Sequence, residues 1–279
     1  MTTSPFQLNP TFTRLGAAAA MLLATSMTAH AAIVVAGPQT YTENFDTLPS
    51  SGDVPWVDDS TVPGFIAGAN SNNTPDGNLK ATDGAASLNG LLNLGTALSN
   101  ERALGSKSTS GDGFANIAYA VVFQNTSPIA LTVTNVSYTG ELWRTNKTPA
   151  GLAEQWFTYY KTSTDPILDS EPGPNSATPN DGTFTPAPEL NWSSPNNLPP
   201  ETQVDGNDPA NRVALSGTLD VTVQPGEYFA FRWVDTNSSD VDGFQGIDDV
   251  SITFVPEPLS ASVALIGGAL VLLRRRRNR

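Results

Sequence analysis

The chain has 279 residues, with 14 Lys and Arg against 27 Asp and Glu, and a formal net charge of −13. It contains no cysteine and a single histidine, His30. So acidic a chain repels nucleic acid, and we expect no nucleic-acid partner. Without cysteine, no disulfide framework can hold the fold together.

The first 31 residues are typical of a secretory signal peptide. Arg14 precedes the uncharged stretch 16–27, and Ala29-His30-Ala31 forms a small-x-small cleavage site. Signal peptidase is therefore an expected partner, and the exported chain is expected to begin at Ala32. Cleavage removes the one histidine, which excludes Ser-His-Asp and Cys-His nucleophiles and the usual zinc sites. Paired carboxylates and oxygen-ligated metals remain possible.

Residues 32–255 are expected to form one exported domain. It holds eight Lys and Arg against 26 Asp and Glu, a formal charge of −18. Residues 49–84 are rich in turn residues, 87–104 are irregular or strand, and 165–209 are Pro-rich loops inserted between strands. The strands predicted in chain order are 33–35, 39–45, 115–124, 129–143, 154–162, 212–219, 221–223, 227–234 and 246–255. With no convincing amphipathic helix, this pattern predicts an all-β protein, an antiparallel β-sandwich of jelly-roll type.

Two of these strands carry finer signals. In 129–143 the candidate core residues change parity between Val133 and Val136, which predicts a β-bulge near Asn135. In 229–234 aromatic residues alternate with others at a period of two, which predicts a half-buried strand.

Acidic residues near both ends of the domain suggest a metal site. Asp46 follows the first strands, and Asp248 and Asp249 lie in the closing strand. The first and last strands of jelly rolls are commonly neighbours, so Asp46 is expected to meet Asp248 or Asp249. The pattern resembles the structural calcium site of jelly-roll binding modules and MAM-like domains, and Ca²⁺ takes six to eight oxygen ligands. We therefore expect structural Ca²⁺ at these residues; the alternative is that they are solvated turn aspartates.

Several charges lie inside otherwise apolar strands: Glu141, Arg144, Arg232 and Asp235. One interpretation is that they form ion pairs between strands. Another is a sugar-binding face, in which arginines stand beside tryptophans that stack on sugar rings. The candidates for that face are Trp143, Arg144, Arg232 and Trp233. A glycosidase needs one carboxylate pair, and nothing marks such a pair among 26 acids.

The domain is followed by a tail with three distinct parts. Pro256, Glu257 and Pro258 end the last strand, because proline lacks the N–H that a ladder needs. The apolar run 259–273 predicts a transmembrane helix, although 15 residues at about 1.5 Å each reach about 23 Å, short of a bilayer core of about 30 Å. A stop-transfer cluster on the cytoplasmic side follows: Arg274, Arg275, Arg276 and Arg277.

The tail, residues 256–279, resembles the PEP-CTERM sorting signal of Gram-negative bacteria. The resemblance rests on the Pro-Glu-Pro tripeptide, the short apolar helix and the arginine cluster, in that order. The resemblance implies an exosortase-type protease as partner, a transient stay in the inner membrane, and delivery to the cell surface or extracellular matrix. Residues 101–105, 136–144 and 231–235 are similar to an exported bacterial β-domain found in other PEP-CTERM proteins and beside extracellular phosphodiesterase-type nucleases. In that pattern a histidine precedes the final Ile-Asp-Asp, whereas here residues 243–246 are Gly-Phe-Gln-Gly.

These observations predict an exported, non-catalytic protein of the surface or of an exopolysaccharide or biofilm matrix. The alternative is a calcium-stabilised carbohydrate-binding module whose partner is extracellular polysaccharide. A carboxylate-pair glycosidase is a remote third reading.

Overall fold

A computed structural model describes residues 32–69, 77–109, 115–147, 154–168, 180–195, 199–238 and 241–257. The predicted signal peptide, Pro258, the apolar run 259–273 and the arginines 274–277 lie outside the described residues. Within the described ranges, no helix has the length and apolar character needed to cross a bilayer.

The described chain is built from strands, with one 3₁₀ turn at Pro188–Leu190. The strands are β1 (Ile33–Val35), β2 (Gln39–Glu43), β3 (Asp53–Pro55), β4 (Phe65–Ala69), β5 (Asn78–Thr82), β6 (Gly90–Leu94), β7 (Ala103–Lys107), β8 (Asn116–Asn125), β9 (Leu131–Arg144), β10 (Gln155–Ser163), β11 (Thr185–Pro186), β12 (Trp192–Ser193), β13 (Arg212–Gly217), β14 (Val221–Val223), β15 (Tyr228–Thr236) and β16 (Phe244–Pro256). The all-β prediction is confirmed.

The strands form two sheets. Sheet 1 has the order β1-β8-β15-β10-β11, with β4 also pairing β8 and β12 also pairing β10. Sheet 2 has the order β13-β9-β16-β7-β6-β5-β3, with β14 also pairing β9 and β2 also pairing β16. The purely antiparallel prediction is wrong, because β1 pairs β8 and β5 pairs β6 in parallel. Parallel neighbours cannot be joined by a two-residue hairpin: β5 and β6 are connected by residues 83–89, and β1 and β8 are separated by residues 36–115.

The main core lies between the two sheets, where aromatic rings from each sheet meet. Phe123 of β8 packs against Phe254 of β16, with ring centroids 5.1 Å apart. Tyr138 of β9 packs edge-on against Trp233 of β15 at 5.6 Å. Each aromatic pair contributes about 0.5–1.5 kcal/mol beyond the burial of its area. The two sheets are therefore packed face to face.

The bulge expected in β9 is present. Thr253 of β16 pairs with Asn135, but the next residue, Phe254, pairs with Val133, so Thr134 is the extra residue. The extra residue lets both Val133 and Val136 point into the core, where neither is exposed.

The central strands β8 and β15 of sheet 1 are buried on both faces, which corrects the prediction of a half-buried strand at 229–234. Ala230, Arg232 and Val234 point away from the main core, yet each is fully buried. A second hydrophobic cluster covers them, to which Ile167 and Phe184 of the long insertion contribute. The segments of the Pro-rich insertion around Ile167 and Phe184 therefore pack on the outer face of sheet 1.

Candidate metal centre

The closing strand β16 changes neighbours at Asp248 and Asp249. Its residues 245–247 pair with β7, and its residues 250–254 pair with β2. Along its other edge, the register with β9 shifts between Asp248 and Ser251. Asp249 has a φ of +49°, a left-handed conformation that Asp tolerates better than most residues. This bulge opens the ladder where the end of β2 and the start of β7 meet.

Three carboxylates gather at that opening, and we call them the carboxylate cluster: Glu101, Glu141 and Asp248. One oxygen of each lies within 4.8 Å of the other two. Glu101 lies two residues before β7. Glu141 on β9 pairs with Gly246, so Asp248 is its diagonal neighbour on the same face of sheet 2. Glu141 is 0% exposed and Asp248 is 3% exposed. The sheet register alone therefore brings together charges that are far apart in sequence.

The loop 204–211 closes over the cluster. The side chain of Asn207 is hydrogen-bonded to Glu101. Gly206 lies so close to the ring of Trp143 that an added Cβ would come within 2.2 Å of the indole nitrogen. The Trp143 indole N–H in turn donates to Glu141 Oε2 at 3.0 Å. Glycine at 206 thus lets the loop pack tightly enough to bury Glu141.

The charges of this site do not balance. The Arg212 guanidinium lies 3.2 Å from Glu141, 3.6 Å from Asp248 and 3.2 Å from Asp249. One positive charge thus faces these carboxylates and that of Glu101. Burial raises the pKa of Glu141 to about 7 and, with repulsion from Glu141, the pKa of Asp248 to about 8. Burial also raises the pKa of Glu101. Either protons or a cation must neutralise the cluster.

Several buried oxygens of the site lack a hydrogen-bond donor within the described residues. They are Glu101 Oε2, Glu141 Oε1, Asp248 Oδ1 and Asn207 Oδ1. Of these, Glu141 Oε1 meets the ion pair with Arg212. Leaving a buried acceptor unsatisfied costs about 1–3 kcal/mol. Carboxylate and amide oxygens are the ligands that Ca²⁺ prefers, and a set with no nitrogen or sulfur disfavours zinc. The donor set therefore fits calcium.

The predicted metal ligands have different positions. β2, the strand that precedes Asp46, pairs with the closing strand β16, whereas the first strand, β1, pairs with β8. Asp248 belongs to the cluster, but the side chain of Asp249 is 60% exposed at its rim. Asp46 accepts from Asn44 Nδ2 at 2.6 Å and from the backbone N–H of Arg102 at 3.3 Å. Glu101 and Glu141, which the prediction omitted, stand where Asp46 and Asp249 were expected.

The predicted sugar face is wrong. Trp143 and Arg144 belong to sheet 2, whereas Arg232 and Trp233 belong to sheet 1. Trp233 lies in the core between the sheets, and Trp143, 1% exposed, lies under Gly206. Each of the five tryptophans is at most 8% exposed. A stacked sugar would have no tryptophan ring to lie on.

One of the strand charges forms the expected ion pair between strands: Glu141 on β9 lies 3.2 Å from Arg212 on β13. Among the described residues the other three do not, and Arg144 donates to the carbonyl of Gly84 at 2.9 Å. Arg232 lies 3.8 Å from Asp181 in the insertion. Asp235 of sheet 1 accepts from Ser106 of sheet 2 at 2.5 Å, so this carboxyl links the two sheets.

No protein-family model matches the chain, and no curated protein matches it in sequence. Among solved structures, it is similar to a cleaved adhesin domain of Lys-gingipain from Porphyromonas gingivalis, with 16% identity over 76% of this chain and 97% of that chain, at a TM-score of 0.35. It is also similar to a xylan-binding module, with 10% identity over 80% of this chain and 100% of that module, at a TM-score of 0.33. Likenesses of this size carry no argument about function.

Proposed function

We propose that the chain is a non-catalytic module of the cell surface or extracellular matrix whose fold is fastened by Ca²⁺ at the carboxylate cluster. The observation that carries this proposal is the cluster itself: buried carboxylates that one guanidinium does not neutralise, with oxygens that lack donors. A dication there joins the segment before β7, the C-terminal part of β9, β16 and the loop 204–211. Extracellular modules bind Ca²⁺ with dissociation constants of about 10⁻⁴–10⁻³ M, which suits an exported protein.

Calcium binding is the direct test. Isothermal titration of the EDTA-stripped protein is expected to show Ca²⁺ binding that Asp248→Asn abolishes, because the amide removes a charge and one ligand oxygen. Asp220→Asn is the matched control: Asp220 is exposed, has a φ of +51° that Asn also tolerates, and lies outside the cluster. A protein that binds no Ca²⁺ at millimolar concentration, or an Asp248→Asn variant that binds it normally, would contradict the calcium proposal.

The proposed location rests on the two ends of the chain. The segment 1–31 and the tail 256–279 together support export, a transient stay in the inner membrane, and processing by an exosortase-type protease. The pairing of β2 with β16 supports the finer assignment of a jelly-roll sandwich.

If the tail is a sorting signal, the mature protein is expected to be smaller than the exported precursor, because the tail is cleaved off. In the producing cell, the surface or matrix form is expected to lack the tail, whereas a variant with Pro256, Glu257 and Pro258 replaced by Ala is expected to stay in the membrane fraction at full length. Cell fractionation with intact-mass spectrometry measures both. A surface form that retains residues 259–279 would refute processing at this motif.

A glycosidase is disfavoured by the burial of the cluster. In glycosidases the two carboxyl groups flank the scissile bond of a sugar, so both must be open to the substrate. Here Glu141 is 0% exposed and Asp248 is 3% exposed, under the loop 204–211. Carbohydrate binding without catalysis remains the second candidate, and an open cleft beside the cluster favours it.

A further inference from the structure

An open cleft of about 220 Å³ lies beside the carboxylate cluster. The indole of Trp143 stands between the two, because it lines the cleft and donates its N–H to Glu141. The residues that line the cleft are Asp83, Thr96, Trp143, Gln203, Val204 and Asp205. We propose that this cleft binds one uncharged sugar unit of a polysaccharide. The inference deepens the proposed function by giving the module a ligand class, and it rests on the surface role but not on calcium.

The two carboxylates of the cleft are held ready to accept hydroxyl protons. Asp83 Oδ1 accepts from the backbone N–H of Ala85 at 3.0 Å, and Asp205 Oδ1 accepts from the backbone N–H of Asn207 at 3.0 Å. Among the described residues, no donor reaches the second oxygen of either side chain. Each carboxylate is therefore oriented by the backbone and presents a free acceptor. A hydrogen bond to an ionised acceptor is roughly twice as strong as a neutral one, which favours a ligand rich in hydroxyl groups.

Gln203 fixes the distance between the two walls of the cleft. Its side-chain amide nitrogen donates to the backbone carbonyl of Asp83 at 3.0 Å. The next residue, Val204, donates its backbone N–H to the carbonyl of Trp143 at 3.0 Å. The segment that carries Asp205 is thus tied both to the Asp83 turn and to β9. A preformed cleft of this kind costs little ordering energy when a ligand binds.

The charges around the cleft select against anionic ligands. None of the lining residues is cationic. Two guanidiniums lie behind the cleft, and both donate to groups of the protein: Arg144 to the carbonyls of Gly84 and Ala85, at 2.9 and 3.2 Å, and Arg102 to Asn93 Oδ1 and, at 3.5 Å, to the carbonyl of Thr96. A uronate or phosphate would therefore face two carboxylates, while the guanidinium donors are already engaged by the protein. The cleft suits neutral glycans and not acidic ones.

Size and burial set the strength of the interaction. Pockets for drug-sized ligands span about 300–1,000 Å³, so this cleft holds one ring of a longer chain. Trp143 is 1% exposed, so hydrogen bonds rather than ring stacking carry recognition. We expect an affinity for a short oligosaccharide in the millimolar range, about −4 kcal/mol.

The test is a calorimetric titration of the purified full chain with cellotetraose, mannotetraose, maltotetraose, xylotetraose and tetragalacturonate. At least one neutral tetrasaccharide is expected to bind, and tetragalacturonate is not. Asp83→Asn and Asp205→Asn are each expected to weaken binding by about tenfold, because the charge-assisted acceptor is lost while the turn is kept. Asp208→Asn is the matched control: its carboxylate makes the same kind of turn, to the N–H of Ala210 at 2.9 Å, but does not line the cleft.

Three outcomes overturn the proposal: no neutral tetrasaccharide binds, tetragalacturonate binds as well as the neutral sugars, or Asp83→Asn and Asp205→Asn bind like the parent. The cleft could instead bind a cation. If no sugar binds and Asp205→Asn weakens Ca²⁺ binding, the cleft is a metal site and not a sugar site. Calcium affinity measured on the same samples separates the two proposals. Sugar binding without calcium binding would refute only the calcium proposal. Calcium binding at the carboxylate cluster without sugar binding would refute only the sugar proposal.

Discussion

In EDTA, the free energy of unfolding is expected to fall as the pH rises from about 4 towards 8, and Ca²⁺ is expected to remove most of this fall. The groups responsible are Glu141 and Asp248, whose pKa values in the fold are raised to about 7 and about 8. An unfolded carboxyl group titrates near pH 4, so between these values the folded chain holds protons that the unfolded chain has released. Stability decreases with pH wherever the folded state binds more protons.

The expected size of this effect is several kcal/mol. One pKa unit corresponds to about 1.4 kcal/mol, so Glu141 alone costs the metal-free fold about 3 kcal/mol at pH 8. Bound Ca²⁺ reverses the sign, because a dication favours the ionised form of each ligand. The difference in melting temperature between calcium and EDTA is therefore expected to be small near pH 5 and to widen up to pH 8.

A second group of buried acids contributes to the pH dependence but not to the calcium difference. Burial raises the pKa of Asp235 to about 7, and burial and the neighbouring carboxylates raise the pKa of Glu154 well above its usual range. The carboxyl group of Glu154 accepts from the N–H of Gly243 and from the Gln245 amide, away from the cluster. Part of the loss of stability between pH 4 and 8 is therefore expected to remain when Ca²⁺ is present.

Calorimetric melting curves from pH 5 to 8, in calcium and in EDTA, measure this prediction. Asp248→Asn is the decisive variant: it is expected to make the metal-free curve less steep and to abolish the calcium difference together. A calcium difference that stays constant across this range would mean that the metal, if bound, does not use the raised-pKa carboxylates.

The sequence predicts those parts of the fold that depend on local pattern. β8, β9 and β15 are long runs of β-branched and aromatic residues, and their alternation states which side chains face the main core. β4 was missed because Phe65–Ala69 holds two alanines and a glycine, so its strand character comes from pairing with β8 rather than from propensity. β5 was missed because it lies among turn residues, and the burial of the outer face of sheet 1 by the Pro-rich insertion is a long-range contact that no local pattern carries.

The same distinction explains the site. Asp248 and Asp249 were found because two adjacent acids inside an apolar strand are a local anomaly. Glu101 and Glu141 reach Asp248 through the register of β7, β9 and β16, and a one-residue shift of any of these strands would turn the side chain to the other face. The position of Glu141 opposite Arg212 in the β9–β13 ladder is likewise a consequence of pairing. A charge inside a strand is visible in the sequence, whereas its partner is visible only in the fold.

Replacing Arg232 with Ala is expected to lower the free energy of unfolding by about 3 kcal/mol, because a fully buried side chain with several partners leaves a cavity and breaks polar contacts. The guanidinium carbon lies 3.7 Å from the ring centre of Phe184 and 5.0 Å from that of Tyr159. Its Nη2 donates to Asn180 Oδ1 at 2.8 Å. These contacts join the insertion to the outer face of sheet 1, so amides near residues 180–190 are expected to lose hydrogen-exchange protection.

Lys161→Ala is the matched control, because Lys161 lies 5.4 Å from the same Phe184 ring but is half-buried. A cation–π contact at such a site is worth about 0.5–1 kcal/mol, so this variant is expected to lose less than a third of what Arg232→Ala loses. Arg232→Lys tests whether the planar guanidinium is needed, since an ammonium cannot stack on Phe184 and donate to Asn180 in the same way. The two losses in the free energy of unfolding are compared by urea unfolding. Equal losses for Arg232→Ala and Lys161→Ala would show that the packing of Ile167 and Phe184 alone holds the insertion, and that Arg232 does not contribute.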